Sequence, residues 1–365
     1  MLFGNQKKTT SFFLKKTSLI VFLGIILKGS LVQAVTDYSL LGPLQVRNQN
    51  PLYLQFLMPR AEDSSVVPKG HLNLTFTAPY SNLYENPFNI SSGTNLILDM
   101  EIFRPAFFFR YGFREDWEAG AELPFLEFSG GFLDPFIQGF HDVFNFPNGG
   151  RENRRNGAFE YRVESRDGVN YQVDDQPFGL SDITFHLKRH LFKEEKFGKY
   201  SPGLAATAYL KIPTGMRSEG LGSGRPDLGF NFSSDKSFWR MGTYLNLGLV
   251  ILGGQADLDP ILRPALVTWM LGAELMAIEK YLNVTLQLNG DSALFTGTGV
   301  AQLSHGSLDL VVGLSGRVGD RFFWQFGFTE DPDINGPSID FTTTFVVGYH
   351  WDITPRKNQS SEASH

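Results

Sequence analysis

Residues 282–289 read Leu-Asn-Val-Thr-Leu-Gln-Leu-Asn, a strict alternation of apolar and polar side chains. Successive side chains of a β-strand point to opposite faces, so this stretch predicts a strand with one apolar face and one face of amides and hydroxyls. The same alternation recurs in Met241–Ile251, where leucines alternate with glycine, tyrosine and asparagine. The repeated pattern indicates an all-β protein.

Twelve segments of the chain show this period of two. They are predicted as strands near residues 71–79, 95–113, 117–127, 180–191, 202–212, 226–233, 240–252, 264–275, 281–289, 306–316, 321–329 and 339–351. The connections between them alternate short with long. An even number of strands with alternating short turns and long loops is typical of a single antiparallel transmembrane β-barrel of the outer membrane.

A soluble β-sandwich is the alternative, because it also buries one face of each strand. Two features favour the barrel. The face opposite the apolar one is mostly Gly, Thr, Ser and Asn rather than charged residues, and aromatic residues such as Trp117, Trp239 and Trp351 lie near strand ends. Small polar side chains suit the interior of a barrel, and terminal aromatics suit the two membrane interfaces.

Composition excludes several other classes. The 365 residues contain no Cys, so neither disulfides nor cysteine-based zinc or nucleophile sites are available. The net charge is −6, with 32 Lys and Arg against 38 Asp and Glu. The sequence has no basic stripe of the kind that indicates nucleic-acid binding.

The two ends of the chain are predicted to lie outside the barrel. Residues 1–34 combine lysines, an apolar run over Leu19–Leu27 and a small-residue motif ending at Ala34, which together predict a cleaved signal peptide and export to the outer membrane. Residues 35–70 are expected to form a periplasmic leader or a plug. The barrel is expected over 71–353, followed by a polar tail over 354–365.

One predicted strand contains a change of parity. Apolar residues are even-numbered from Leu96 to Ile102 and odd-numbered from Phe107 to Phe113. A β-bulge at Arg104–Pro105 would reset the facing, since Pro is tolerated where pairing is already interrupted. This interpretation directs the side chains of Asp99, Glu101 and Arg110 into the lumen together.

Several short motifs resemble a known family. They are Gly42-Pro43-Leu44, Arg47 to Leu52, Gly130 to Asp134, Phe140-His141-Asp142, Lys211 to Gly215, Gly222-Ser223-Gly224, Thr329 to Asp331 and Pro337 to Phe341. These motifs, in this order along the chain, are similar to those of a Gram-negative family of exported proteins in the domain-of-unknown-function class. The resemblance implies an outer-membrane barrel and implies no activity and no catalytic residues.

Parity also predicts which charged residues face inward. The candidates facing the lumen are Asp99, Glu101, Arg110, Glu118, Glu122, Lys211, Glu274 and His350, and the candidates at the outer rim are Asp182, Asp227, Asp309 and Asp340. Lys188 and His186 share the inward parity. Acids outnumber bases in this set, which leaves two interpretations open: a mildly cation-selecting pore, or a closed interior in which the charges pair across strands.

The long connection over 128–179 carries a candidate lid. Phe136, Phe140, Val143 and Phe144 recur at helical spacing, which predicts a short amphipathic helix that either covers the mouth or packs the loop against the rim. His141 and Asp142 in the same segment are the remaining candidates for an outer-membrane lipid-modifying enzyme, although no third orienting group is evident. No catalytic residue is assigned.

The sequence therefore predicts passage or binding of small solutes, hydrophobic ones included, across the outer membrane. The alternatives are a lipid-modifying enzyme and a purely structural barrel. Expected partners are outer-membrane lipid and lipopolysaccharide, the barrel-assembly machinery and an unidentified small solute, without nucleic acid. No cofactor and no metal are expected.

Overall fold

The structure is a computed structural model that describes residues 40–89, 91, 93–144, 154–279, 281–333, 336, 337, 339 and 341–353. The side chains of residues 88, 89 and 140–144 are not among the described parts. The predicted signal peptide over 1–34, the first residues of the predicted leader, Asp340 and the predicted tail over 354–365 all lie outside the described residues.

The described residues form one antiparallel sheet of seventeen strands. The strands are β1 (His71–Glu85), β2 (Phe88–Asn89), β3 (Thr94–Phe103), β4 (Ala106–Arg114), β5 (Trp117–Ser129), β6 (Glu160–Ser165), β7 (Val169–Val173), β8 (Phe178–Leu180), β9 (Ile183–Phe192), β10 (Gly203–Ile212), β11 (Asp227–Phe238), β12 (Met241–Ile251), β13 (Ala265–Ile278), β14 (Leu282–Asp291), β15 (Ser307–Val318), β16 (Phe322–Glu330) and β17 (Phe341–Asp352).

The sheet closes on itself. The first strand β1 pairs with the last strand β17 from His71↔Asp352 to Asn82↔Phe341. Counting β3 with β4 and β8 with β9 as two interrupted strands, twelve strands form the wall in the described part of the chain, as the period of two predicted. The barrel class is thereby confirmed, and the extra strands β2, β6 and β7 belong to the long loops.

Turn lengths distinguish the two ends of the barrel. Asp116 and Trp239 each lie in a tight turn between neighbouring strands, and both adopt positive φ. We call this end, which also holds the start of β1 and the end of β17, the short-turn end. The opposite end carries the long connections between strands and is called the long-loop end.

The outside of the wall is apolar and exposed, which is the reverse of a soluble protein. Within residues 282–289, Leu286 is 55% exposed, whereas Thr285 on the opposite face is fully buried. The same holds along β12, where Leu247 is 53% exposed and Asn246 is buried. An apolar band around a closed barrel is the surface that faces lipid in an outer-membrane barrel.

The bulge predicted at Arg104–Pro105 is wrong. β1 pairs with β4 at Thr77↔Ala106 and with β3 at Tyr80↔Phe103, so two residues lie between these pairs on each strand and none is inserted. Even-numbered residues therefore face inward along both β3 and β4. The apparent change of parity arises because the inner face of β3 is itself apolar where it packs into a buried cluster.

Asp99 and Glu101 consequently do not face the lumen. They lie on the outer face of β3, where the long loop that follows β5 covers them. Asp99 forms an ion pair with Arg154 at 3.1 Å, and the Glu101 carboxylate accepts a hydrogen bond from the Phe132 amide at 2.7 Å. Both carboxylates hold this loop against the wall.

We predict that labels at Leu98 and Phe107 will report opposite environments. The chain has no cysteine, so single variants Leu98→Cys and Phe107→Cys can be spin-labelled without background. The label at 107 should be accessible to oxygen dissolved in lipid and the label at 98 should not, with Val284→Cys as the lipid-facing control. Equal accessibility of the labels at 98 and 107 would support a bulge at Arg104–Pro105.

We also predict that the cost of a charge on the outer face depends on its depth. Leu286→Arg, near the middle of β14, should lower the free energy of unfolding in lipid vesicles by about 2–4 kcal/mol, and Val318→Arg, at the end of β15, by about 0–1 kcal/mol. Denaturant titration in vesicles measures both. Equal losses at the two positions would contradict a lipid-facing band.

Candidate functional site

Residues 40–70, here called the lumenal segment, run through the interior of the barrel. Near the short-turn end, the Leu41 amide donates to both carboxylate oxygens of Glu274 at 3.0 and 3.1 Å. At the long-loop end, the Tyr53 hydroxyl donates to the Ser292 carbonyl at 3.4 Å. The segment therefore reaches from one end of the lumen to the other.

The chain then returns along a different part of the wall. The Leu57 amide donates to Asp227 Oδ2 at 2.9 Å near the long-loop end, and the Val67 amide donates to Glu118 Oε2 at 2.7 Å near the short-turn end. The lumenal segment thus consists of an ascending limb over 40–50 and a descending limb over 55–70, which leads directly into β1.

The turn between the limbs is a single helical turn, Pro51–Leu54. The Asn50 side chain caps it by accepting from the Leu52 amide at 3.0 Å. Asparagine at the N-cap and proline at the first helical position are both favoured there, because proline lacks the amide that would need a partner. The local sequence therefore favours a helix start at this point.

The helical turn is buried in an apolar cluster, the apolar cap, which fills the long-loop end. Its members come from the lumenal segment, the wall, the β6–β7 hairpin and the loops after β10, β12 and β14: Leu52, Tyr53, Leu54, Phe56, Leu57, Met58, Leu83, Leu96, Leu98, Met100, Ile102, Leu126, Phe128, Tyr161, Val163, Val169, Tyr171, Val173, Tyr209, Leu221, Val250, Leu252, Leu258, Ile261, Leu266, Leu294, Phe295, Val300 and Leu303. The cap closes the lumen at this end.

Glu62 is the main polar anchor of the descending limb. Its carboxylate contacts side chains of three wall strands, β9, β10 and β11. The partners are Lys188 Nζ at 3.0 Å, Thr207 Oγ1 at 2.6 Å, Tyr209 OH at 3.3 Å and Asn231 Nδ2 at 3.1 Å. Each of these four side chains points inward, so one carboxylate joins the segment to the wall.

Electrostatics favour the charged form of this anchor. The ammonium of Lys188 and the hydrogen bond from Thr207 stabilise the Glu62 carboxylate against the cost of its burial. Lys188 is itself fully buried and also donates to the Asp63 carbonyl at 2.7 Å. The pair leaves neither charge without a partner inside the barrel.

A second anchor lies under the apolar cap, around Lys211. Its ammonium lies 2.7 Å from Asp182 and 3.0 Å from Asp227, and it donates to the Gln55 carbonyl at 2.7 Å and to Ser223 Oγ at 2.6 Å. Asp182 and Asp227 were predicted at the outer rim. They lie near that end of the wall, point inward and are buried under the loops.

The predicted lumen residues of β4 and β5 form a third group. Glu118 is fully buried, with His186 Nε2 at 3.4 Å and Arg110 at 4.0 Å. Glu122 forms an ion pair with Arg104 at 2.5 Å. All these side chains face inward, and sequence parity did not identify Arg104 because the predicted bulge obscured its facing.

The remaining predicted positions lie on β13, β15 and β17 or just before β17. Glu274 is buried and accepts from Tyr244 OH at 2.7 Å, and Asp309 is buried opposite Asn289. His350 faces inward, and its Nδ1 lies 3.2 Å from Asn73 Nδ2. Asp340, predicted at the rim, is outside the described residues.

The loop helix predicted as a candidate lid is present as Asp134–Phe144, but the described contacts place it beside the rim. Asp134 lies 3.5 Å from Asn82 on the outer face of β1, and the Phe136 ring packs edge-on to Phe341 with centroids 6.4 Å apart. These contacts fit packing against the rim rather than closure of the mouth. The side chains of Phe140, His141, Asp142 and Phe144 lie outside the described residues.

The structure changes the set of charged residues that the sequence placed inside the barrel. Asp99 and Glu101 face outward and so are not among the charged residues inside the barrel. Four arginines join the set, two from the lumenal segment and two from the wall: Arg47, Arg60, Arg104 and Arg317. The two from the segment lie where the sequence has no regular period, so no parity argument was available for them.

A cavity of about 320 Å³ remains between the two limbs and the wall at the short-turn end. Its lining includes Arg60, Glu62, Arg110, Arg317 and His350. The part of the chain that the structure describes contains no group of His, Asp and Glu placed to hold a metal ion. None of the described helices is long and apolar enough to cross a membrane.

Comparison with solved structures finds other barrels. The COG4313 outer membrane channel from Pseudomonas putida F1 matches with a TM-score of 0.49 and 14% identity, covering 79% of this chain and 98% of that one. The toluene transporter TbuX of Ralstonia pickettii matches with a TM-score of 0.36 and 8% identity, covering 78% and 90%. The P. putida toluene transporter TodX matches with a TM-score of 0.36 and 9% identity, covering 83% and 92%.

These scores are low, so the barrel assignment rests on the strand pairing of this chain. No curated protein matches the chain. A family model described as protein of unknown function (DUF3187) matches residues 19–354, which is most of the sequence. The chain therefore belongs to the DUF3187 family of unknown function, and its structure is a closed twelve-stranded outer-membrane β-barrel.

Proposed function

We propose that this protein is a gated channel for small polar solutes, and that the lumenal segment holds it closed. The observation that carries the proposal is the Glu62 anchor, which joins the descending limb to three wall strands through polar contacts alone. Polar contacts of this kind exchange readily for contacts with water. Contacts between side chains in a wholly apolar interior would not exchange readily for contacts with water.

The polar interior argues against a purely structural barrel. Burying an ion pair costs much of the Coulomb attraction in desolvation, and well-packed apolar residues of the same volume are often neutral or more stabilising by about 1–4 kcal/mol. A barrel that served only as a scaffold would gain from such residues. Retained pairs such as Lys211 with Asp182 and Lys188 with Glu62 instead suit a wall that is wetted in one of its states.

The cavity at the short-turn end supports the same proposal. Short turns face the periplasm in outer-membrane barrels, so the cavity would face that compartment and the apolar cap would face outward. Displacement of the descending limb would extend the cavity along β9, β10 and β11. The lining of those strands is polar, which favours a polar solute over a hydrophobic one.

We predict that weakening the Glu62 anchor opens the channel. Glu62→Gln removes the charge that neutralises Lys188 while preserving shape, and a hydrogen bond to a charged group contributes about 1.5–3 kcal/mol. The open fraction in planar bilayers should rise at least tenfold relative to the parent protein. The surface variant Glu115→Gln should leave the open fraction unchanged.

Two outcomes of this experiment count against the proposal. One is a parent protein that already conducts as much as Glu62→Gln. The other is a double variant, Glu62→Gln with Lys188→Gln, that stays as closed as the parent.

A disulfide should restore closure in the opened variant. A Cβ built on Gly203 of β10 would lie 3.4 Å from Ser64 Cβ, close to the usual Cβ separation of a disulfide. Ser64→Cys with Gly203→Cys in the Glu62→Gln background should block liposome swelling by arabinose when oxidised and permit it when reduced. Each single cysteine serves as a control. Equal swelling with the oxidised and the reduced protein would show that the descending limb is not the gate.

A further inference from the structure

Five inward side chains lie at one height on adjacent strands near the short-turn end. Asn73 of β1 is directly opposite both Arg110 of β4 and His350 of β17, and Phe323 of β16 is directly opposite Arg317 of β15. The rings of Phe323 and His350 lie 5.4 Å apart. All five line the 320 Å³ cavity, and we call them the cationic row.

The acids that line the same cavity already have partners. Each carboxylate accepts from a donor outside the row: Glu62 from Lys188 at 3.0 Å, Glu194 from Lys236 at 2.7 Å, Asp235 from the Ser64 amide at 2.5 Å, and Asp63 from Ser65 Oγ at 2.7 Å. None of these four carboxylates forms an ion pair with Arg110 or Arg317 among the described residues.

The two guanidinium groups of the row are under-satisfied. Arg110 has one described carboxylate in reach, Glu118 at 4.0 Å, and Glu118 already accepts from the Val67 amide and contacts His186. Arg317 forms no ion pair with any described residue. The Nε atoms of both arginines are buried and have no hydrogen-bond partner.

Each guanidinium carries five donors, and a buried donor left without an acceptor costs about 1–3 kcal/mol, more when charged. An anion entering the cavity would satisfy these donors. The planar fork of a guanidinium matches the two oxygens of a carboxylate, and the Asn73 amide supplies a further donor beside it. The Phe323 ring gives an apolar surface next to the charged groups.

We propose that the cationic row binds a small organic carboxylate at the periplasmic end of the lumen. The cavity volume is at the lower end of the roughly 300–1,000 Å³ range of small-molecule sites, so the solute is a small one. The inference deepens the proposed function by naming the class of solute, and only the placement of the site on a solute path rests on that function.

Isothermal titration of the full-length protein in detergent tests this site. Benzoate and benzamide have the same ring and similar shape, but only benzoate is charged. Benzoate should bind at least tenfold more tightly than benzamide. Equal affinity for the two probes, or binding of inorganic phosphate without benzoate, would overturn the carboxylate assignment.

Variants locate the binding on the row. Arg110→Gln and Arg317→Gln should each weaken benzoate binding at least tenfold, and Arg317→Lys, which keeps the charge but not the fork, should weaken it less than Arg317→Gln. Arg225→Gln, in the loop before β11, is the matched control and should bind as the parent does. Unchanged binding in both glutamine variants, or an equal loss in the control, would refute the site.

This outcome is separable from that of the channel proposal. Arabinose swelling through Glu62→Gln does not depend on the cationic row, whereas benzoate titration of the closed parent does not depend on gating. A negative result in one of the two experiments therefore does not contradict the proposal that the other experiment tests.

Discussion

The pairing of the first strand with the last is the constraint on which the rest of the structure depends. β1 and β17 pair continuously from His71↔Asp352 to Asn82↔Phe341. An open edge in hydrocarbon would leave backbone amides and carbonyls without partners, at several kcal/mol for each group. Once the edge is closed, lipid surrounds the apolar side chains over most of the wall, and most polar side chains of the strands face the enclosed space.

That enclosed space creates the need for the lumenal segment. Its backbone amides donate to four carboxylates on three wall strands, β5, β11 and β13: Leu41 to Glu274, Leu57 to Asp227, Ser64 to Asp235 and Val67 to Glu118. Hydrogen bonds from amides to an ionised carboxylate are strong and need no counter-ion. The acid excess of the inner wall is therefore explained in part by main-chain donors, which a count of charged residues does not reveal.

The period of two predicted the strands because the wall has two different environments on its two faces over most of its height. Prediction failed where both faces are buried. Along Leu96–Ile102 the apolar side chains face inward into the apolar cap, so assigning apolar residues to lipid reversed the facing of Asp99 and Glu101. The barrel was predictable from local pattern, whereas these facings depend on what covers each face.

The main anchor of the lumenal segment was beyond prediction for a different reason. Glu62 lies in a stretch without regular period, and its partners Lys188 and Asn231 are more than a hundred residues away. Nothing in the local sequence distinguishes it from Asp63 beside it. The pairing is set by the path of the segment through the lumen, which follows from the closed wall rather than from a motif.

The two halves of the lumen also differ in what their opening would cost. Separating the apolar cap exposes apolar surface to water at about 25 cal/mol per Å². Releasing the descending limb around Glu62 exchanges hydrogen bonds between protein groups for hydrogen bonds with water, at about 0.5–1.5 kcal/mol for a neutral pair and about 1.5–3 kcal/mol for a charged one. In the proposed channel the part of the descending limb around Glu62 therefore yields before the cap, and solute enters from the periplasmic cavity before the outer end opens. The apolar cap is then the higher free-energy barrier to opening. The contacts of Leu52 to Met58 within the cap determine the fraction of molecules in which both ends of the lumen are open.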